Sequence, residues 1–167
     1  LTSGATLCLP EENDFYKVPK WLERMGVTVL HTVPSLVQTW LKDGPLPEGL
    51  PGLRLVFFAG EPLTESLVRR WRKAFPDAGR VVNLYGPTET TLAKCYYPVP
   101  EDPTPGIQPA GMPLPQTQIL ILGPDGCLCG IGEPGEIVVR TPYRTLGYLD
   151  QDEQEKSGFV PNPFRDD

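Results

Sequence analysis

Three apolar runs organise the first half of the chain, and each stops abruptly. Residues 27–33 (VTVLHTV) close on Pro34-Ser35. Residues 53–58 (LRLVFF) close on Ala59-Gly60-Glu61-Pro62, and residues 81–84 (VVNL) on Tyr85-Gly86-Pro87. β-Branched and aromatic residues dominate these runs, so each predicts a strand, and the Gly and Pro after them predict turns. The first two runs are continuous rather than alternating, which predicts strands covered on both faces, as in a parallel sheet. A shorter run at residues 5–9 (ATLCL), closed by Pro10, predicts a further strand.

Between the runs the spacing becomes helical. Phe15, Val18, Leu22 and Met25 make one stripe behind a capping Asp14 and end at Gly26. Pro19 lies inside that stripe, so the helix proper starts near Val18 or its first turn is distorted. Ser35-Leu36-Val37-Gln38 has the form of a capping box, followed by an apolar face of Leu36, Val37, Trp40 and Leu41. Residues 44–52 form a loop. Thr64 is placed to cap a helix whose inner stripe is Leu67, Val68, Trp71, Ala74 and Phe75. Arg69, Arg70, Arg72 and Lys73 form the outer face of that helix and are expected to be solvated rather than to hold phosphate.

Strands alternating with helices predict an open, mostly parallel sheet with flanking helices, a flavodoxin-like α/β arrangement over residues 1–99. From residue 100 the pattern changes. A Pro/Gly-rich connection leads to strand candidates at residues 116–122 (QTQILIL) and 135–140 (GEIVVR), with a Gly123-Pro124-Asp125-Gly126 turn between them. Residues 100–167 are therefore expected to begin a small antiparallel β-section, and residues 150–167 to be loop with one short helix. Residues 94–99 suit another strand.

With 167 residues, 40% of them apolar, the chain can build a real core. Its formal charge of -6 argues against a duplex nucleic-acid partner, whose phosphates need a basic surface. No apolar run approaches a membrane span and no signal peptide is visible. Cys8, Cys95, Cys127 and Cys129 lack zinc-site spacing and read as reduced structural thiols of a cytoplasmic protein. Both ends read as cut, so the chain is expected to be part of something larger and to self-associate through surface the remainder would cover.

In open α/β sheets, ligands gather at the carboxyl ends of the strands. Residues 31–35, 57–61 and 84–91 should then face one crevice. The last of these offers an aromatic ring at Tyr85, hydroxyls at Thr88, Thr90 and Thr91, and a carboxylate at Glu89. These are the parts of a nucleotide and magnesium site, and equally the parts of a polar turn with a capped helix start.

Asn83-Leu84-Tyr85-Gly86-Pro87-Thr88-Glu89-Thr90 resembles the signature of adenylate-forming enzymes, in the form typical of nonribosomal peptide synthetase adenylation domains. Phe58-Ala59-Gly60-Glu61-Pro62-Leu63, Gly111-Met112-Pro113, and Gly135-Glu136-Ile137 with Leu146-Gly147-Tyr148-Leu149 resemble three further motifs of that family, in the right order. The resemblance implies that an amino or related carboxylic acid reacts with ATP to give an acyl-adenylate. The acyl group then passes to the phosphopantetheine thiol of a peptidyl carrier protein. It implies that Tyr85 covers adenine, Asn83 bonds the exocyclic amine, and the backbone of Gly60, with Glu61 and Gly86, borders the nucleotide. It implies that Thr88 bonds the α-phosphate and Glu89 ligates Mg2+, making these two the catalytic residues. The same alignment places the acid substrate among His31, Phe57, Ala59, Leu84, Leu92 and Ala93, a largely apolar set with one polar handle. It points to a medium or large apolar or aromatic acid.

The family's Ser/Thr/Gly-rich phosphate loop, its Y-[KR]-T-G-D motif and its C-terminal small domain with the catalytic Lys are not in this sequence. Arg140-Thr141-Pro142 stands where the family usually has glycines. The chain thus resembles the central, substrate-selecting portion of an adenylation domain, needing the remainder of that domain and expected to be inactive alone. A portion of an acyl- or aryl-CoA ligase, or a non-catalytic scaffold subdomain, are the alternatives left open.

Overall fold

The structure, a computed structural model, describes residues 3–43, 46–148, 158–160, 162 and 164. The loop and short helix expected over residues 150–167 fall largely outside this range. The chain forms two compact units, Leu1–Leu84 with Tyr97–Gly111, and Tyr85–Tyr96 with Met112–Asp167. Strands β1 (Val29–Thr32), β2 (Leu55–Phe58), β3 (Arg80–Tyr85), β4 (Cys95–Pro98) and β5 (Met112–Pro113) make a five-stranded sheet in that order. The first three are parallel, with Thr32, Phe58 and Asn83 in register at their carboxyl ends.

The helices of the first unit are α1 (Val18–Arg24), α2 (Pro34–Asp43) and α3 (Glu65–Ala74). A 3-10 helix at Glu12–Lys17 leads into α1, and Pro19 occupies its first turn, where a missing N–H costs nothing. Gly26 leaves α1 with φ +60°, the left-handed conformation that glycine adopts without Cβ strain. Thr64 caps α3 by accepting from the Leu67 amide at 3.3 Å, as its position predicted. Trp21, Leu22, Val37, Trp40, Leu67, Val68, Trp71 and Phe75 meet Leu30, Val56, Phe58 and Val81 in one buried cluster. Phe58 stands edge-on to Trp71, centroids 6.2 Å apart, a geometry favoured by the ring quadrupoles.

Three expectations are corrected. First, β1 is not covered on both faces. Leu30 and Thr32 are buried, whereas Val29 is 44% exposed and His31 is exposed. Because β1, β2 and β3 lie side by side in chain order, right-handed crossovers carry α2 and α3 to the same face. Among the described residues the other face carries no helix. Second, residues 5–9 are not a strand. They pair with nothing among the described residues, and Leu7 and Leu9 are 64% and 73% exposed. Third, the Ser35–Gln38 capping box does not form, because α2 begins at Pro34 and its first turn has a different partner, described below.

The basic face of α3 is only partly solvated. Arg69 pairs with Glu65 at 2.8 Å and with Asp102 at 2.6 Å. Half-buried Arg72 donates to the carbonyls of Val99, Pro100 and Glu101 at 2.8, 2.5 and 2.8 Å, tying α3 to the chain leaving β4. Both guanidinium groups are occupied by protein acceptors rather than presented to an anion.

In the second unit Cys95 and Tyr96 pair antiparallel with Pro113 and Met112. Strands β6 (Gln118–Leu122) and β7 (Glu136–Arg140) form a two-stranded antiparallel sheet. The turn predicted at residues 123–126 is present: the Gly126 amide donates to the Gly123 carbonyl at 2.9 Å, and Asp125 accepts from the Cys127 amide at 3.0 Å. No described helix is long and apolar enough to cross a membrane.

Candidate nucleotide and substrate site

Parallel register sorts the residues of the first unit onto two faces. His31 lies beside Phe57, and Phe57 beside Val82. Leu84, two residues on from Val82, shares their parity, since side chains alternate along a strand. His31, Phe57 and Leu84 therefore share the face that carries no helix. His31 is exposed and its side chain makes no hydrogen bond among the described residues, while Phe57 and Leu84 are half-buried. Asn83, in register with the fully buried Phe58, belongs to the opposite, helix-covered face. Three residues read as substrate contacts and the one read as an adenine contact thus occupy opposite sides of the same strand ends.

Just past β2, the Ala59 amide donates to the Thr32 carbonyl at 3.1 Å and extends the ladder by one bond. Gly60 then turns with φ +83°, a conformation that leaves its peptide accessible and that a side chain would strain. Glu61 bends back to α2. Its Oε2 accepts from the Ser35 amide at 2.9 Å and its Oε1 from the Ser35 hydroxyl at 2.7 Å. The carboxylate satisfies an otherwise orphan donor of the helix start and sits at the positive end of the helix dipole.

Asn83 is 6% exposed and held by its amide nitrogen, which donates to the carbonyls of Pro109 at 2.9 Å and Gln108 at 3.4 Å. Those carbonyls accept only from N–H, so they fix which end of the amide is oxygen. Oδ1 has no partner among the described residues and can accept a hydrogen bond from an amine. Gln108 is itself buried and fixed, its amide donating to Leu63 O at 2.8 Å and its side chain to Thr104 O at 2.6 Å. Nothing in the sequence pattern marked Gln108 or Pro109, since their role depends on carbonyls that every residue carries.

Tyr85, Gly86, Thr88, Glu89, Leu92 and Ala93 belong to the second unit. Their turn is closed by the Lys94 amide donating to the Tyr85 carbonyl at 2.7 Å. Gly86 has a steric reason to be glycine: a Cβ there would lie 2.0 Å from Leu92 O and 2.8 Å from Lys94 N. A 3-10 helix spans Thr88–Thr90, and the chain then passes through two left-handed residues, Thr91 at φ 57° and Leu92 at φ 78°. Such values are uncommon for residues with a Cβ and persist only where surroundings enforce them. They leave Leu92 60% exposed. Ala93 and Tyr85 are half-buried, and the exposed Thr88 hydroxyl has no partner among the described residues.

Residues 143–148 hold this turn in place. The Thr145 amide donates to Glu89 O at 2.7 Å, Thr91 Oγ1 to Tyr143 O at 3.2 Å, and the Tyr148 hydroxyl to Glu89 Oε1. The Tyr148 hydrogen bond, chiefly, holds the Glu89 carboxyl below the usual carboxylate range, so it is ionised at neutral pH. Lys94, 6% exposed, places its ammonium 5.5 Å from the centre of the Tyr143 ring.

A family model described as AMP-binding enzyme matches residues 1–149. The chain belongs to the AMP-binding enzyme family. Tyrocidine synthase 3 of Brevibacillus parabrevis is 33% identical over 98% of the chain and 2% of its own length. A D-alanine--D-alanyl carrier protein ligase of Bacillus licheniformis is 36% identical over 95% of the chain and 33% of its own length. Among solved structures, the Vibrio cholerae adenylation domain AlmE, in complex with glycyl-adenosine-5'-phosphate, superposes with a TM-score of 0.79 at 26% identity. The match covers 92% of this chain and 30% of that one. This AMP-binding chain therefore spans a third or less of the relatives it matches.

Proposed function

We propose that this AMP-binding chain is the substrate-selecting part of an adenylation domain, one that activates an amino acid, or a related keto or hydroxy acid, with ATP for loading onto a carrier protein. A carboxylate oxygen of the acid attacks the α-phosphorus and pyrophosphate leaves. The acyl group then moves from AMP to the phosphopantetheine thiol of the carrier. This is in-line displacement, so positioning and charge neutralisation carry the catalysis.

The observation that carries the reading is Asn83. Its amide protons are committed to two carbonyls, which leaves Oδ1 as a lone acceptor at the carboxyl end of a parallel sheet. That is the group needed to receive the exocyclic amine of adenine and to disfavour a base presenting an oxygen there. In the same reading Tyr85 covers the base, the Gly60 peptide and neighbouring Glu61 border its other face, and Gly86 gives the turn its shape. Thr88 offers its free hydroxyl to the α-phosphate. The donor set also fits a hard divalent cation: Glu89 is an ionised oxygen ligand. Mg2+ bound there neutralises charge on the phosphates. His31, Phe57, Ala59, Leu84, Leu92 and Ala93 receive the acid, with His31 free to bond a polar tip and the rest favouring an apolar or aromatic body.

Pyrophosphate exchange by the complete adenylation domain, dependent on added acid, tests both parts. Exchange is expected with medium or large apolar or aromatic amino acids. Best activity with a small charged acid refutes the pocket assignment, and absence of exchange with every acid refutes the reaction.

A further inference from the structure

Two separate hydrogen bonds fix Glu89 from the same short segment. Its carbonyl accepts from the Thr145 amide at 2.7 Å, and its carboxylate accepts from the Tyr148 hydroxyl. The tyrosine is itself held: its ring packs against Phe159 at 5.5 Å between centroids. Space for its hydroxyl is kept by Gly158, where a Cβ would come within 2.5 Å of the Tyr148 oxygen. Glycine there leaves the phenol where the Glu89 carboxylate meets it. One carboxylate oxygen, Oε1, thus carries a fixed donor from the segment.

We propose that Tyr148 is a positioning residue for a divalent cation, holding the Glu89 carboxylate in the orientation in which it meets the metal. The proposal rests on Glu89 being the metal ligand. A flexible glutamate must give up rotamer freedom to bind a cation; a hydrogen bond already holding one oxygen removes part of that cost in advance. Outer-shell donors of this kind typically contribute 10–100-fold to metal affinity. The segment at residues 143–148 is then part of the metal site, although none of its side chains is a ligand in this arrangement.

The test is Mn2+ affinity of the full chain with saturating AMP, read from the EPR signal of the free ion, for wild type and the Glu89→Gln, Tyr148→Phe and Gly158→Ala variants. Tyr148→Phe keeps the ring on Phe159 and removes only the hydroxyl. It is expected to weaken Mn2+ binding roughly 10–100-fold with an unchanged urea midpoint. Gly158→Ala, which displaces that hydroxyl, is expected to weaken Mn2+ binding in the same direction. If wild type takes up no Mn2+, or Glu89→Gln leaves its affinity unchanged, Glu89 is not the ligand and both readings fall. If Glu89→Gln weakens binding while Tyr148→Phe does not, the positioning role alone is overturned. Weakening by Tyr148→Phe that is matched by a lost fold, seen in circular dichroism, also overturns it.

Discussion

The Glu61 carboxylate takes both donors of Ser35, the amide at 2.9 Å and the hydroxyl at 2.7 Å, and so joins the bend after β2 to the first turn of α2. The residues are 26 apart in sequence. The cap fixes Gly60 as well, because Gly60 lies between Glu61 and the last ladder bond at Ala59. Replacing Glu61 with Ala removes the cap and is expected to cost about 0.5–2 kcal/mol. Ser35→Ala removes only the hydroxyl bond and should cost less. Urea unfolding of the two variants checks the order, and equal stability of wild type and Glu61→Ala would refute the cap.

Glycine-to-alanine changes at positions 60 and 86 should separate two kinds of constraint. At Gly60 a Cβ meets nothing nearer than Val33 Cγ1 at 3.8 Å, so the cost is the left-handed backbone alone, about 1–2 kcal/mol. At Gly86 a Cβ would sit 2.0 Å from the Leu92 carbonyl oxygen, and backbone cannot swing aside as a side-chain tip can. Gly86→Ala is expected to destabilise more and to open the turn that carries Glu89. Unfolding midpoints, with AMP affinity by calorimetry, read both effects.

Asn83→Asp keeps the shape of the side chain and replaces two donors with an acceptor facing two carbonyls. Asn83 is 6% exposed, so the misplaced oxygen is costly, about 1–3 kcal/mol for the unsatisfied groups alone. Asn83→Ser leaves the carbonyls to water and should cost less than Asp. Denaturation at pH 7 distinguishes them.

Acid should weaken the first unit through Glu65. The Arg69 hydrogen bond, and next the Gly106 amide, hold its folded pKa below the unfolded value. A carboxylate with a depressed folded pKa contributes stability above its unfolded value, near 4.3, and loses it as pH falls through the folded one. Arg69→Met should therefore lower the urea midpoint at pH 7, and its difference from wild type should shrink by pH 3. Parallel curves at both pH values would argue that the pair is not coupled to folding.

Much of the arrangement was legible because it depends on local pattern. Punctuated apolar runs at residues 27–33, 53–58 and 81–84 became β1, β2 and β3, since their β-branched and aromatic residues suit a pleated sheet and Pro or Gly forbids its continuation. The Leu67, Val68, Trp71 and Phe75 stripe became the buried face of α3, as helical spacing requires. Residues 5–9 show the limit of this reasoning. Their composition suits a strand, but a strand exists only where another offers its backbone, and pattern alone supplies no partner. Ser35 shows it again: its local capping partner, Gln38, was displaced by a carboxylate from another strand end.

The sequence by itself determined most of the strands and helices and the family to which the chain belongs. Those follow from side-chain periodicity and from motif residues adjacent in the chain. Only the tertiary structure decided how each functional group is held. The orientation of the Asn83 amide depends on two carbonyls 25 and 26 residues away, and that of Glu89 on a phenol 59 residues away. Hydrogen-bond geometry acts over about 3 Å of space, and distance along the chain carries no record of it.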